Sequence, residues 1–349
     1  YSGLSIKILF FERIKLTNTN VIKHIIVLIN KLSIILYKNF YKLNNINQMR
    51  FYYILLTLIF FVISTVLTEF YLKKIGLGDP VRYDSNYIYG YSPKENQIKK
   101  RLKNSTVTIN DVGLRTIFDW KKNKKKKIIF FGDSITYGGS YIDDREIFSH
   151  LVCEKLKNYT CGNAGVNAYS IINIVNRSKY DKRLKDINKY IFLVAPGDFY
   201  REYADSKKAH FYLNQKRFFL PAITEAISFV ATKYDINNFI SKRDDTKIEM
   251  NKIDLIDYSM ALLEKEIKRL ENENKDVFLF YTIEKNDRRS ASKINKYILS
   301  NLSNLKIKNF YSLAKLLNND QFFYDNVHYS RDGHKAVSEE IIISINDIN

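Results

Sequence analysis

Lys127-Ile128-Ile129-Phe130-Phe131-Gly132-Asp133-Ser134 is the stretch from which the rest of the chain can be read. The apolar run Ile128 to Phe131 reads as a buried strand, and Gly132 closes it. A glycine there allows a tight turn without a Cβ clash. Ser134 then falls at a strand-to-helix turn, where its hydroxyl can point out of the sheet edge beside the unpaired N–H groups of a helix start. Such a spot suits both a nucleophile and an oxyanion. Strand-Gly-x-Ser turns are common, so the tripeptide needs support from elsewhere.

Toward the C-terminus the same kind of strand recurs. Ile191-Phe192-Leu193-Val194 and Val277-Phe278-Leu279-Phe280-Tyr281 are apolar runs, while Glu146–Leu156, Asp254–Leu270 and Gly333–Ile343 carry helical patterns. Buried strands alternating with helices imply an α/β fold, a parallel sheet covered on both faces. Residues 199–251 interrupt the alternation with an aromatic and basic segment that includes Phe211-Tyr212 and Lys216-Arg217-Phe218-Phe219. An insertion beyond the C-terminal end of a strand lies where open α/β sheets bind ligands, so a substrate-covering lid is expected there.

Toward the N-terminus, residues 75–126 carry turn signals (Gly76, Gly78, Asp79-Pro80, Ser92-Pro93) and alternating stretches such as Thr106-Val107-Thr108-Ile109, which read as a small β-rich connector. Before it, Phe51–Leu72 is apolar with Glu69 as its single charge, following Met49-Arg50. Its length spans a bilayer. A cationic start, an apolar run and no small-x-small cleavage site give an uncleaved transmembrane signal anchor over 49–74. Residues 1–48 remain an uncertain upstream segment, with Ile22–Tyr41 a candidate interfacial helix. Charge does not orient the anchor: Lys38, Lys42 and Arg50 on one side balance Lys73, Lys74 and Arg82 on the other.

The net charge is +19 over 349 residues. Lysine, asparagine and isoleucine are abundant throughout, so a compositional origin is preferred over an anionic partner; the run Lys121–Lys127 reads as a solvated linker. No zinc-finger spacing, aromatic RNA-binding signature or helix-turn-helix accompanies the charge, and nucleic-acid binding is not expected. No metal cluster and no cofactor is expected either: no HExxH or similar set occurs. Cys153 and Cys161 are the two cysteines. Buried free thiols are the preferred reading, a single bridge in an oxidising compartment the alternative.

The second chemical element is Asp325-Asn326-Val327-His328, ahead of the last helix. A hydroxyl needs a neighbouring base to become a nucleophile, and imidazole fits. A carboxylate three residues before can orient the ring and stabilise the imidazolium, the logic of a Ser-His-Asp triad. Of the five histidines only His328 has a carboxylate at this spacing in an apparent loop; His334, on the following helix, reads as structural.

Three blocks together resemble the SGNH/GDSL hydrolase superfamily over about residues 127–349. Gly132-Asp133-Ser134-Ile135-Thr136-Tyr137-Gly138 is similar to its first block, Asn163-Ala164-Gly165-Val166-Asn167-Ala168-Tyr169-Ser170 to its second, and Asp325 through Gly333-His334 to its last. The absence of a GxSxG elbow separates the chain from ordinary α/β-hydrolases. The resemblance implies a three-layer α/β/α, flavodoxin-like sheet and acyl transfer from an ester, with Ser134, His328 and Asp325 catalytic and the N–H groups of Ser134 and Ala168 in the oxyanion hole. Two departures stand out. Ala168 replaces a glycine whose backbone N–H is the donor. In the third block Ala195-Pro196-Gly197-Asp198 stands for Gly-x-Asn-Asp, so Gly197 lacks the asparagine donor. Loss of one such donor typically costs about 10²–10³ in rate; Gly197 itself, Asn167 and Arg201 are the groups to consider in its place.

Anchor and resemblance together imply a serine esterase acting on acyl, chiefly O-acetyl, esters of cell-envelope glycans. Its expected location is the periplasmic side of a bacterial inner membrane, with an acylated carbohydrate as partner and membrane contact through residues 51–72. The alternatives are an O-acyltransferase of envelope polysaccharide and a catalytically silent glycan-binding or assembly protein.

Overall fold

The computed structural model describes residue 31 and residues 46–205, 220–233, 251–285 and 293–347. All but residue 31 of the candidate interfacial helix at 22–41 and most of the expected lid, 206–219 and 234–250, lie outside the described residues. The chain divides into two compact units, Tyr1–Leu67 and Thr68–Asn349.

Helix α1 spans Ile46–Lys74, and the most apolar 18-residue window of its Met49–Lys74 segment has a mean hydropathy of 2.2 and none of it is buried. At about 1.5 Å per residue those 26 residues reach about 39 Å, longer than a hydrocarbon core of about 30 Å. The helix is long and apolar enough to cross a membrane. Its one acidic residue has a specific task. Glu69 is buried, and its carboxylate accepts the Ala222 and Ile223 N–H groups at 3.1 and 2.9 Å. These are unpaired donors in the first turn of α6 (Pro221–Lys233). The same helix is held from the other side by a buried ion pair between Glu225 and Arg101.

Residues 75–126 form two antiparallel hairpins, β1 (Tyr83–Asn86) with β2 (Gly90–Pro93) and β3 (Gln97–Lys100) with β4 (Thr106–Ile109). Val107, Ile109, Val112, Leu114 and Trp120 belong to the same apolar core as the sheet that follows. Arg115 fastens the two regions. Its N–H bonds the Asn163 carbonyl at 2.9 Å, and its fully buried guanidinium pairs with Asp144 at 2.9 Å while donating to the carbonyls of Tyr137, Gly139 and Ile142.

Five parallel strands build the sheet: β5 (Lys126–Gly132), β6 (Tyr159–Asn163), β7 (Lys189–Val194), β8 (Asp276–Tyr281) and β9 (Phe310–Ser312), in the order β6-β5-β7-β8-β9. Relative to the chain this is 2-1-3-4-5, the flavodoxin-like order. Every residue of β7 is buried, as is nearly all of β5 and β8. These strands are therefore apolar without alternation, as sheets covered on both faces require. The covering helices pair off: α3 (Phe148–Lys155) packs on α9 (Arg331–Asn346), and α4 (Ile171–Tyr180) on α7 (Lys252–Asn272). The architecture is three-layer α/β/α.

Cys153 on α3 and Cys161 on β6 form a disulfide with a Cα–Cα distance of 5.7 Å, which corrects the free-thiol expectation. A helix and the strand after it run past each other closely enough to bring the two side chains into bridging range. Their spacing of eight residues carried no sign of this.

Candidate active site

The sheet order places three chain segments on one rim. β5 lies between β6 and β7, and all three point the same way, so their C-terminal ends deliver Ser134, the 164–170 loop and the Ala195–Gly197 turn side by side. This is the switch point at which strand order reverses and open α/β sheets bind ligands.

At the end of β5 the glycine is required by packing. A Cβ on Gly132 would overlap the Thr136 hydroxyl and the Leu193 carbonyl. Asp133 caps the turn, its Oδ1 accepting the Ile135 N–H at 2.8 Å. Asn163, at the end of β6, ties the second segment to the first: its side chain donates to the Thr136 carbonyl at 2.6 Å and accepts the Gly165 N–H at 2.9 Å.

The fourth segment is the loop between β9 and α9. Asp325 organises it: Oδ1 accepts the backbone N–H groups of Val327 and His328, both at 2.8 Å, and Oδ2 lies 2.8 Å from His328 Nδ1. His328 Nε2 in turn lies 2.9 Å from Ser134 Oγ, across 194 residues of sequence. Chemistry assigns the protons: the carboxylate only accepts, so Nδ1–H donates to it, and Nε2 accepts from the serine hydroxyl. Ser134, His328 and Asp325 thus stand in one hydrogen-bonded line. In that order an imidazole can take the hydroxyl proton while a carboxylate holds the resulting imidazolium.

The electrostatics agree. Burial alone would raise the Asp325 pKa, but its hydrogen bonds to the His328 ring and to the His328 and Val327 N–H groups push it down to about 2. Burial would lower His328; the Asp325 hydrogen bond and charge, with smaller contributions from Asp133 and Glu284, raise it above its ordinary value instead.

The remaining predicted residues lie on the neighbouring loops. Ala168 has φ +63°, the left-handed region. Among the described residues neither its N–H nor that of Ser134 has an acceptor. Asn167 is exposed, and its carbonyl accepts the Tyr91 hydroxyl at 2.7 Å. Gly197 is buried in the first turn of α5 (Pro196–Tyr200). His334 does not join the line. It is buried against Phe148 and Tyr329, its Nδ1 accepts the Phe148 N–H at 3.3 Å, and desolvation pushes its pKa down to about 3.

Sequence reading gave no role to Asp198. It is fully buried beside Asp133, and burial with that neighbouring carboxylate drives its pKa well up. The signal available was an acidic residue at the end of an apolar strand, where a solvated charge is out of place. Among the described residues no group of three or more His, Cys, Asp or Glu side chains is placed to hold a metal.

No protein-family profile matches the chain, and a search of curated proteins returns no match. Among solved structures the chain is similar to GDSL-type hydrolases. A lipase/acylhydrolase from Enterococcus faecalis aligns at 16% identity with a TM-score of 0.40, over 63% of this chain and 95% of its own. A psychrotrophic esterase from Pseudoalteromonas aligns at 10% and 0.40, over 64% and 98%. An acetyl-xylooligosaccharide esterase from Geobacillus aligns at 15% and 0.39, over 65% and 96%.

Proposed function

We propose that the chain is a serine esterase of the SGNH/GDSL kind, tethered to a membrane by α1, that removes acyl groups, chiefly acetyl, from cell-envelope glycans. The observation that carries this reading is the line Ser134 Oγ–His328 Nε2–His328 Nδ1–Asp325 Oδ2, with links of 2.9 and 2.8 Å. Ser134 attacks the ester carbonyl as His328 takes its proton; Asp325 stabilises the imidazolium; the N–H groups of Ser134 and Ala168 receive the oxyanion. Collapse expels the sugar alkoxide, which takes the proton back from His328. Water, deprotonated by the same ring, then releases the acid.

Hydrolysis is preferred over transfer because the His328 and Asp325 side chains are 28% and 48% exposed, leaving the acyl-enzyme open to water. A sugar is favoured by the exposed Tyr324 ring, one residue before Asp325. It stacks on Tyr141 at 3.8 Å with the Lys103 ammonium 4.1 Å from its centre, so a sugar would meet its exposed edge and hydroxyl. The Cys153–Cys161 bridge favours an oxidising compartment. It therefore argues for the periplasmic side, where the flanking charges balance.

Fluorophosphonate labelling of the full chain in detergent tests the reading. Labelling lost in Ser134→Ala supports it; a folded chain that takes no label would leave the silent-binder alternative. Turnover of p-nitrophenyl acetate with and without an oligosaccharide acceptor separates esterase from transferase. Alkylation of the denatured, unreduced protein taken from cells should find no free thiol; free thiols would place the domain in the cytosol.

A further inference from the structure

We infer that the Arg201 guanidinium is the third oxyanion donor, in the space that Gly197 leaves without a side chain; this rests on Ser134 being the nucleophile. The gap at Gly197 has a definite neighbour. A Cβ built there would lie 3.3 Å from Arg201 Nη2 and 3.7 Å from Glu284 Oε1, with nothing else counted within 4 Å. The end of Arg201 therefore stands where a side chain at 197 would project. Local geometry brings it there. Gly197 is in the first turn of α5 and Arg201 is its C-cap, four residues on, and residues four apart share a helix face.

The other guanidinium nitrogen fixes the group's position. Arg201 Nη1 donates to the Tyr169 carbonyl at 2.5 Å, to Asp198 Oδ1 at 3.2 Å and to Asp133 Oδ2 at 3.4 Å. Tyr169 follows Ala168, Asp198 follows Gly197, and Asp133 precedes Ser134. The guanidinium is thus pinned by the immediate neighbours of all three positions that surround the expected oxyanion. Asp133 and Asp198 are buried, while the Arg201 side chain keeps 32% of its surface exposed, so its outer edge opens to the rim. The two carboxylates hold the arginine charged, its pKa raised by both.

The chemistry needs nothing further. As Ser134 Oγ bonds the carbonyl carbon, the carbonyl π pair moves onto oxygen and the serine proton passes to His328 Nε2. Nη2–H donates to that oxygen until the carbonyl reforms and the leaving alkoxide takes the proton from His328. A guanidinium donor is charge-assisted and stronger than a neutral amide, which compensates for an asparagine that is missing.

The test uses the full chain, p-nitrophenyl acetate turnover and the rate of fluorophosphonate labelling. Arg201→Met is expected to lower kcat and labelling rate by about 10²–10³, with KM within about threefold of wild type. Gly197→Asn in the Arg201→Met background should recover at least about tenfold of the loss, since the asparagine enters the vacated space. A role confined to neutralising Asp133 and Asp198 would lower the melting temperature without that recovery. If Arg201→Met does not fold, Asp198→Asn removes the buried carboxyl that accepts from the guanidinium, and the same kcat loss is expected in the double variant. Ser134-dependent labelling in wild type with Arg201→Met turnover within about threefold overturns the role of Arg201 alone. No labelling of folded wild type overturns the esterase reading, and this one with it.

Discussion

His328 and His334 stand six residues apart, one in the loop before α9 and the other in its first turn, and their surroundings drive the same imidazole in opposite directions. His328 has a carboxylate 2.8 Å from one nitrogen and a hydroxyl 2.9 Å from the other, and its pKa rises. His334 has aromatic rings, a backbone N–H and the Arg115 charge around it, and its pKa falls to about 3. Residue type sets the range; the neighbours decide whether the ring is a base available to chemistry or a neutral piece of core.

The comparison breaks most visibly through His328 itself. His328→Ala should lower ester turnover by about 10⁴–10⁶, as removal of a triad base does, with a melting temperature within a few degrees of wild type. Retained turnover would end the distinction. Asp325→Asn should lower turnover by about 10³–10⁴. It should also move the acid limb of kcat/KM to a lower pH, because burial, which lowers the His328 pKa, is then opposed only by the smaller contributions of Asp133 and Glu284.

His334→Ala should do the reverse, lowering stability by about 2–4 kcal/mol through a core cavity and leaving kcat per folded molecule within about threefold. Stability against pH sharpens the contrast. The His328 contribution is complete below its unfolded pKa and is lost as pH rises through the raised folded value. The His334 contribution is complete above pH 6.5 and is lost as pH falls toward about 3. Denaturant titrations should therefore find that His328→Gln flattens the alkaline side and His334→Gln the acidic side. The smallest effect concerns Ala168. Relieving a left-handed alanine is worth about 1–2 kcal/mol, offset by glycine's chain entropy of about 0.5–1 kcal/mol. Ala168→Gly should accordingly stabilise by about 0.5–1 kcal/mol in the same titrations.

Much of the site could be read in advance because its logic is local. The turn after β5 needs a glycine, and the Asp325 carboxylate reaches two N–H groups and a ring within three residues. The unbroken apolar runs of β5, β7 and β8 announce a covered sheet. Arg201 was within reach as a candidate only because it follows Gly197 by four, and a five-residue helix gives no periodic pattern that would have fixed the face. Glu69 is the single charge of an apolar span, and its role is not legible there because its partners on α6 lie more than 150 residues away.

The sequence by itself determined the buried strands and the long apolar helix, and it marked Ser134, His328 and Asp325 as candidates, because each follows from the pattern of a few adjacent residues. Only the tertiary structure decided which histidine meets the serine, that the cysteines bridge, that a connector strand shares the core, and which charged group fills the space beside Gly197. Those are distances between segments, and side-chain chemistry carries no record of distance until the sheet order sets the strands side by side.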